Sequence, residues 1–230
     1  MNDNGTIKAV IFDMDGLLID SEPLWSAALI NTFSQIGFPY GEKEFREVQG
    51  MRIDLIVDYW YARRPWNGYS TQEVTERVVD RTIALIKERG VPKEGAMQTI
   101  AFFRQRGIPL GVASSSPHNV ISANISALDA AGCFDIVCSA ENEQQGKPHP
   151  AVYISTAEQL GIPPHQILVF EDSVLGVLAA KTAETTCICV PDEDVAADKR
   201  LGLADYILPS LTEFDEALWQ EIGRLNGRPP

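Results

Sequence analysis

Cysteine, histidine and positive charge are scarce in this chain, and long apolar runs are missing. The 230 residues hold four cysteines and three histidines. Cys133, Cys138, Cys187 and Cys189 include no Cys-x-x-Cys pair, which argues against a zinc site. Cys187 and Cys189 stand two apart on an expected strand and share a face, a poor arrangement for a disulfide, so free thiols in a reducing compartment are expected. Nineteen Lys and Arg face 32 Asp and Glu, a formal net charge of −13. Such a surface repels nucleic acid and anionic membranes. An anionic small molecule would need a local positive site from a metal, a lysine or helix N-termini. No segment approaches the roughly 18 apolar residues of a membrane span. Met1-Asn2-Asp3-Asn4-Gly5-Thr6-Ile7-Lys8 lacks the apolar core of a signal peptide. The expectation is a cytoplasmic protein with no nucleic-acid or membrane partner.

What is present is an ordinary globular composition, 45% hydrophobic and 22% charged, enough for a real core. There is no internal repeat and no low-complexity linker. Val10-Ile11-Phe12 is a short buried-strand run. From Leu24 to about Gly90 the pattern is helical with no convincing strand. Ser21 is a candidate N-cap and Pro23 lies in the first turn. Trp25, Ala28, Leu29 and Phe33 recur at helical spacing, as do Ile53, Ile56, Val57, Trp60 and Tyr61. A third segment, capped by Ser70 or Thr71, runs through Val78, Ile83 and Ile86 to Gly90. From about Gly95 helices alternate with strands at Pro109–Ala113, Asp135–Cys138, Gln166–Phe170 and Thr186–Val190, and a last strand-helix pair closes the chain. Alternation of this kind predicts an α/β fold, a doubly wound Rossmann-like parallel sheet. The helical stretch then reads as an inserted all-helical cap domain at 21–92, on a core of 1–20 and 93–230.

The polar residues at four expected strand ends have both plain and chemical readings. Asp13-Met14-Asp15-Gly16 is a composition common in turns. It also places two mutually repelling carboxylates at the carboxyl edge of a sheet, tolerable if a cation lies between them or one holds a proton. Ser114 and Ser115 could bind phosphate oxygens at a helix start, or Ser116 and its neighbours could simply cap that helix. Lys147, in Gly146-Lys147-Pro148-His149-Pro150, is either a solvated surface group or an ammonium placed against the macrodipole for another purpose. Glu171-Asp172 follows the most apolar strand. It is a helix cap or a site for a hard cation such as Mg²⁺, and Ser173 is available as the cap. Together, a carboxylate pair, serines, a lysine and an acidic pair on one sheet edge suit a phosphoryl group, with metal on one side, lysine on the other and a carboxylate to attack in line.

In that order, Asp13-x-Asp15-Gly16, Ser114, Lys147 and Glu171-Asp172 resemble the four motifs of the haloacid dehalogenase-like superfamily of phosphatases. The resemblance covers essentially the whole chain. Phe12-Asp13-x-Asp15-Gly16-x-x-x-Asp20-Ser21-Glu22 and Lys147-Pro148-x-Pro150 resemble the β-phosphoglucomutase-related branch with a helical cap. Gly50-Met51-Arg52-Ile53-Asp54 and Trp60-Tyr61-Ala62-Arg63 resemble bacterial sugar-phosphate phosphatases acting on 2-deoxyglucose 6-phosphate and hexitol phosphates. The resemblance implies Asp13 as the nucleophile that forms an aspartyl-phosphate, and Asp15 as acid and then base. It implies Mg²⁺, with Mn²⁺ or Co²⁺ as substitutes, on Asp13, the backbone carbonyl of Asp15 and Asp172, with Glu171 nearby. Ser114, Ser115 and Lys147 would hold the phosphoryl group. Arg52 would face the substrate from the cap, and Trp25 would contribute to specificity unless it is simply cap core.

The expected activity is Mg²⁺-dependent hydrolysis of small sugar or sugar-alcohol phosphates by a monomer. Asp15 is absent from true haloacid dehalogenases, and its presence here favours phosphoryl transfer. A hexose-phosphate mutase is the alternative enzyme, but the first cap helix offers Trp25 and no histidine where mutases of this branch carry one. A non-catalytic sugar-phosphate sensor on the same fold is the alternative of another class, and it could dispense with the nucleophile. Ala183-Glu184 departs from the Ala-Ala-Gly that commonly ends the fourth-motif helix, with no evident catalytic meaning.

Overall fold

A computed structural model describes residues 6–192 and 195–226. The chain opens with β1 (Ala9–Phe12) and then runs through α1 (Glu22–Gln35), α2 (Glu42–Val48), α3 (Ile53–Arg63) and α4 (Thr71–Arg89) before any second strand. Alternation follows: α5 (Ala96–Arg104), β2 (Leu110–Ser114), α6 (His118–Ala127), β3 (Ile136–Ser139), α7 (Ala151–Leu160), β4 (Ile167–Glu171), α8 (Val174–Thr182), β5 (Thr186–Cys189), β6 (Tyr206–Ile207) and α9 (Glu216–Asn226). The strands form one parallel sheet in the order β3-β2-β1-β4-β5-β6. β1 lies between β2 and β4, where the winding reverses, so the carboxyl ends of these three strands flank the crevice in which such sheets bind ligands.

Burial explains the apolar runs. Every residue of β1, β2 and β4 is buried, as expected for parallel strands covered on both faces. Val10, Phe12, Val112, Leu168 and Phe170 pack on one side with α5 and α6. Ala9, Ile11, Ala113, Ile167 and Val169 pack on the other with α7 and α8. Phe12 and Phe170 stack at 5.1 Å between ring centroids. All four cysteines are free.

The helical region α1–α4 is the cap. Its two connections to the core run side by side. Asp20 N donates to Val91 O at 2.9 Å, and Lys93 N donates to Leu18 O at 2.9 Å. Inside the cap, Phe33 stacks on Tyr40 at 4.7 Å and meets Trp66 edge-on at 5.5 Å. Ser70 caps α4, accepting from Glu73 N, while the Glu73 side chain accepts from Ser70 N. The sequence pattern shows three cap segments, and the structure has four. α2 is seven residues long and buries only Phe45 and Val48, too few positions to reveal a helical period. α6 ends at Ala127, and Asp129 beyond it takes a positive φ of 51°. Among the described residues, no helix is long and apolar enough to cross a membrane.

Candidate active site

Asp13 follows β1 directly and is tied to the neighbouring strand by its N–H, which donates to Phe170 O at 3.0 Å. The chain then turns through Asp15 and Gly16. Gly16 has φ +78°, and a Cβ there would overlap the Asp172 carboxylate. Glycine therefore serves twice, permitting the turn and letting the end of β4 approach the Asp13–Asp15 loop.

Lys147 lies between two carboxylates. Its Nζ donates to Asp13 Oδ1 at 2.5 Å, Glu171 Oε1 at 2.6 Å and Ala113 O at 3.2 Å. Burial pulls its ammonium pKa down, but Asp13 and Glu171 outweigh burial and hold it above the ordinary value. Glu171 is fully engaged. Oε1 also accepts from the Tyr153 hydroxyl at 2.5 Å, and Oε2 accepts from Asp172 N, Ser173 N and Ser173 Oγ. Burial raises the Glu171 pKa, yet Lys147, Tyr153 and the backbone together hold it below the usual carboxylate value. Ser173 caps α8 as expected, accepting from Gly176 N at 3.0 Å. A Cβ at Gly176 would overlap the Glu171 carboxylate, so α8 can pack this close to that group only with glycine at that position.

Asp13, Glu171 and Asp172 each offer a carboxylate oxygen, all within 4.8 Å of one another. Lys147 is buried among them as the ion-pair partner of Asp13 and Glu171. Burial, with Glu171 and Asp13 close by, drives the Asp172 carboxyl far above its ordinary value. Burial also pushes Asp13 up to about 7, against the opposing pull of Lys147. Excess buried negative charge on hard oxygen donors is what a divalent cation relieves, so the cluster is chemically suited to hold one. Both oxygens of Glu171 are already taken by donors. Among the described residues, none donates to the Asp172 carboxylate.

Asp15 is held by side chains from both the core and the cap. Oδ1 accepts from Ser21 Oγ at 2.7 Å, Trp25 Nε1 at 3.0 Å and Asn124 Nδ2 at 3.1 Å. Oδ2 accepts from Ser116 Oγ at 2.7 Å and Ser114 Oγ at 3.4 Å. Two expectations change here. Ser21 occupies the N-cap position of α1, but its side chain makes no capping bond and serves Asp15 instead. Ser116 does not cap α6, whose N-cap is Pro117, and its hydroxyl likewise turns to Asp15.

These groups floor a narrow cavity of about 60 Å³ between core and cap. The core contributes Asp13, Asp15, Ser114, Ser115, Lys147 and Asp172. The cap contributes a mainly apolar wall that includes Trp25, Leu29, Phe45, Met51 and Ile56, with Glu22 and Gln49 as polar members. Ser115 also joins the two parts, its Oγ donating to Gly50 O at 3.1 Å. Arg52, expected to face the substrate, is turned toward the core surface. Its guanidinium is paired with Asp54 at 2.5 Å and donates to Ala140 O at 2.8 Å and Glu143 O at 2.7 Å. Its neighbours Met51 and Ile53 line the cavity in its place.

The model of the family described as haloacid dehalogenase-like hydrolase matches residues 7–184. The chain belongs to the haloacid dehalogenase-like hydrolases. Hexitol phosphatase B of Escherichia coli (strain K12) is 43% identical over 209 residues, covering 90% of this chain and 94% of that protein. Validoxylamine A 7'-phosphate phosphatase of Streptomyces hygroscopicus subsp. limoneus is 30% identical over 217 residues, covering 94% and 98%. Among solved structures, CbbY from Rhodobacter sphaeroides in complex with phosphate has a TM-score of 0.84 at 26% identity, covering 90% of this chain and 96% of that one. The protein is accordingly an enzyme, a phosphatase of the haloacid dehalogenase-like type with an aspartate-based site.

Within this haloacid dehalogenase-like site, Asn124, Tyr153, Gly176 and Glu22 are functional positions that the sequence pattern does not single out. Tyr153 and Asn124 sit at buried helical positions and look like core until the strand ends are in place. Glu22 carried a signal, since it closes the Asp20-Ser21-Glu22 run. It stands in the cavity wall, where burial first, then Asp15, Asp192 and Asp13, push its carboxyl up to about 8.

Proposed function

We propose that this protein hydrolyses phosphate monoesters of small sugars and sugar alcohols, hexitol phosphates foremost, with Mg²⁺ as its cofactor. The observation that carries the reading is Lys147 Nζ held 2.5 Å from Asp13 Oδ1 beside a carboxylate cluster, in a cavity walled by the cap. The 43% identity to hexitol phosphatase B supports the substrate class.

In the proposed reaction an oxygen of Asp13 attacks phosphorus and the bond from phosphorus to the sugar oxygen breaks. Asp15 gives its proton to that oxygen, and the alcohol leaves. Asp15 then takes a proton from water as the water attacks the aspartyl-phosphate, releasing inorganic phosphate and restoring Asp13. Lys147 favours the ionised form of Asp13 against the effect of burial and, with Ser114 and Ser115, holds the phosphoryl oxygens. Asp13, Asp172 and the Asp15 carbonyl would hold the metal, which neutralises phosphoryl charge when bound, with Mn²⁺ or Co²⁺ as substitutes. Glu171, engaged on both oxygens, would stand behind them and orient Lys147. The cap, residues 21–92, closes over the substrate and limits the water that reaches the phosphoenzyme. The setting we propose is a cytoplasmic monomer.

The test is phosphate release, with and without Mg²⁺, from hexose, deoxyhexose, hexitol, pentose and nucleoside monophosphates. Magnesium-dependent release biased to hexitol and hexose phosphates is expected. No release from any of them by folded protein would overturn the reading.

A further inference from the structure

Asn124 lies in α6, is fully buried, and forms no part of the cavity wall. Its Nδ2 reaches Asp15 Oδ1 at 3.1 Å. Its own Oδ1 is buried with no hydrogen-bond partner among the described residues. A leucine would fill similar space without stranding a polar atom, so packing gives no reason for an amide here. The opposite amide orientation would set its oxygen against a carboxylate oxygen, so Asp15 itself fixes which way the amide points.

The two oxygens of Asp15 meet different chemistry. Two of the three donors to Oδ1, Trp25 Nε1 at 3.0 Å and Asn124 Nδ2 at 3.1 Å, are N–H groups that cannot accept. Both donors to Oδ2, Ser116 Oγ and Ser114 Oγ, are hydroxyls, which can turn round and accept. A proton on Oδ1 would compete for its lone pairs with two fixed N–H groups and would find one hydroxyl, Ser21 Oγ at 2.7 Å, whereas a proton on Oδ2 meets only hydroxyl oxygens.

We infer that Asn124 is a positioning residue for the reaction: with Trp25 it pins Oδ1 of Asp15 as a permanent acceptor and so makes Oδ2 the oxygen that carries the catalytic proton. The inference rests on the phosphatase reading above. In the first step the Oδ2 proton passes to the sugar oxygen as its bond to phosphorus breaks and the Asp13–phosphorus bond forms. In the second step Oδ2 takes the proton back from the attacking water. Trp25 belongs to the cap and Asn124 to the core, so the aim of the acid depends on both parts.

The role shows in leaving-group dependence. A sugar alkoxide needs a proton to leave, whereas p-nitrophenolate does not, and kcat/KM reports on the step that forms the phosphoenzyme. For Asn124→Leu, kcat/KM toward sorbitol 6-phosphate should fall about 10- to 100-fold, while that toward p-nitrophenyl phosphate stays within about 3-fold. Trp25→Phe, which removes the other N–H and keeps an aromatic ring, should move the same ratio in the same direction and serves if Asn124→Leu does not fold. Equal losses on both substrates, or no loss on either, would overturn the inference and leave the phosphatase reading standing. A wild-type protein inactive toward both substrates would instead overturn the phosphatase reading, and this inference with it.

Discussion

Charged groups at the sheet edge and aromatic groups in the cap are buried on opposite terms. At the edge, Lys147 is bonded to Asp13, Glu171 and Ala113 O, Glu171 is bonded through both oxygens, and five side chains from both parts of the molecule converge on Asp15. In the cap, Phe33, Phe38, Tyr40 and Trp66 fill space ring against ring. Trp66 Nε1 and Thr82 Oγ1 there are buried with no partner among the described residues. The edge needs particular atoms at particular distances, because a misplaced charge in low dielectric is costly. The cap needs volume and shape, which many combinations of apolar residues supply. The reacting groups thus stand in the core, while the cap sets the walls, adds Ser21 and Trp25 to the bonds on Asp15 and closes on the core through a few polar contacts.

The comparison is sharpest at Lys147. Lys147→Met should lower activity by about 10³-fold or more, because the nucleophile and the phosphoryl group both lose their cation. It should also cost roughly 3–5 kcal/mol of stability, since Asp13 and Glu171 would be left buried without it. Steady-state kinetics and denaturant melts read the two effects. A mild loss in both would mean the edge tolerates imprecision as the cap does.

Gly176→Ala tests the same demand with one methyl group. The new Cβ would overlap the Glu171 carboxylate. Activity should fall about tenfold or more and stability by about 1–3 kcal/mol, through displacement of a group that orients Lys147. A single methyl on an open cap helix should change neither. Wild-type kinetics in Gly176→Ala would show that Glu171 does not orient Lys147.

Arg52→Gln tests the closing contacts. It removes the bonds to the Ala140 and Glu143 carbonyls and the pair with Asp54. As a latch between cap and core, it should change kcat and KM together by a few-fold, about 3- to 10-fold, for every substrate of the panel. A large loss confined to one substrate would return Arg52 to the substrate-facing role first expected of it.

The smallest effect is a pH dependence of metal stabilisation. Asp13 is raised to about 7 in the folded protein, above its unfolded value of about 4. Its contribution to stability is therefore full below about pH 4 and is lost as pH rises through about 7. A bound cation offsets that loss. The gain in Tm on adding Mg²⁺ to chelator-treated protein should be larger at about pH 8 than at about pH 6. An equal gain at both would separate the metal from Asp13.

Much of this is legible in the sequence, and for a definite reason. Asp13, Asp15, Ser114, Glu171 and Asp172 follow or end apolar strands, so the parallel topology alone brings them to one edge. Lys147 was readable from its proline-flanked loop. The partners were not readable. Asn124 and Tyr153 contribute through buried helix faces, where apolar periodicity hides a polar role. Ser21 and Ser116 occupy positions where serine ordinarily caps a helix. Gly176 matters only because Glu171 lies against it. Arg52 was placed in the cleft by the motif around it, but its guanidinium finds a carboxylate and two carbonyls closer at hand.

The central claim is that Asp13 takes the phosphoryl group. Wild-type protein mixed with Mg²⁺ and a hexitol phosphate, quenched in acid within its first turnovers and reduced with borohydride, should yield homoserine in place of Asp13 in the peptide that carries it. Asp13→Asn should give no such product and no phosphate release. Phosphate release by the wild type without any modification of Asp13, or undiminished turnover in Asp13→Asn, would contradict the account.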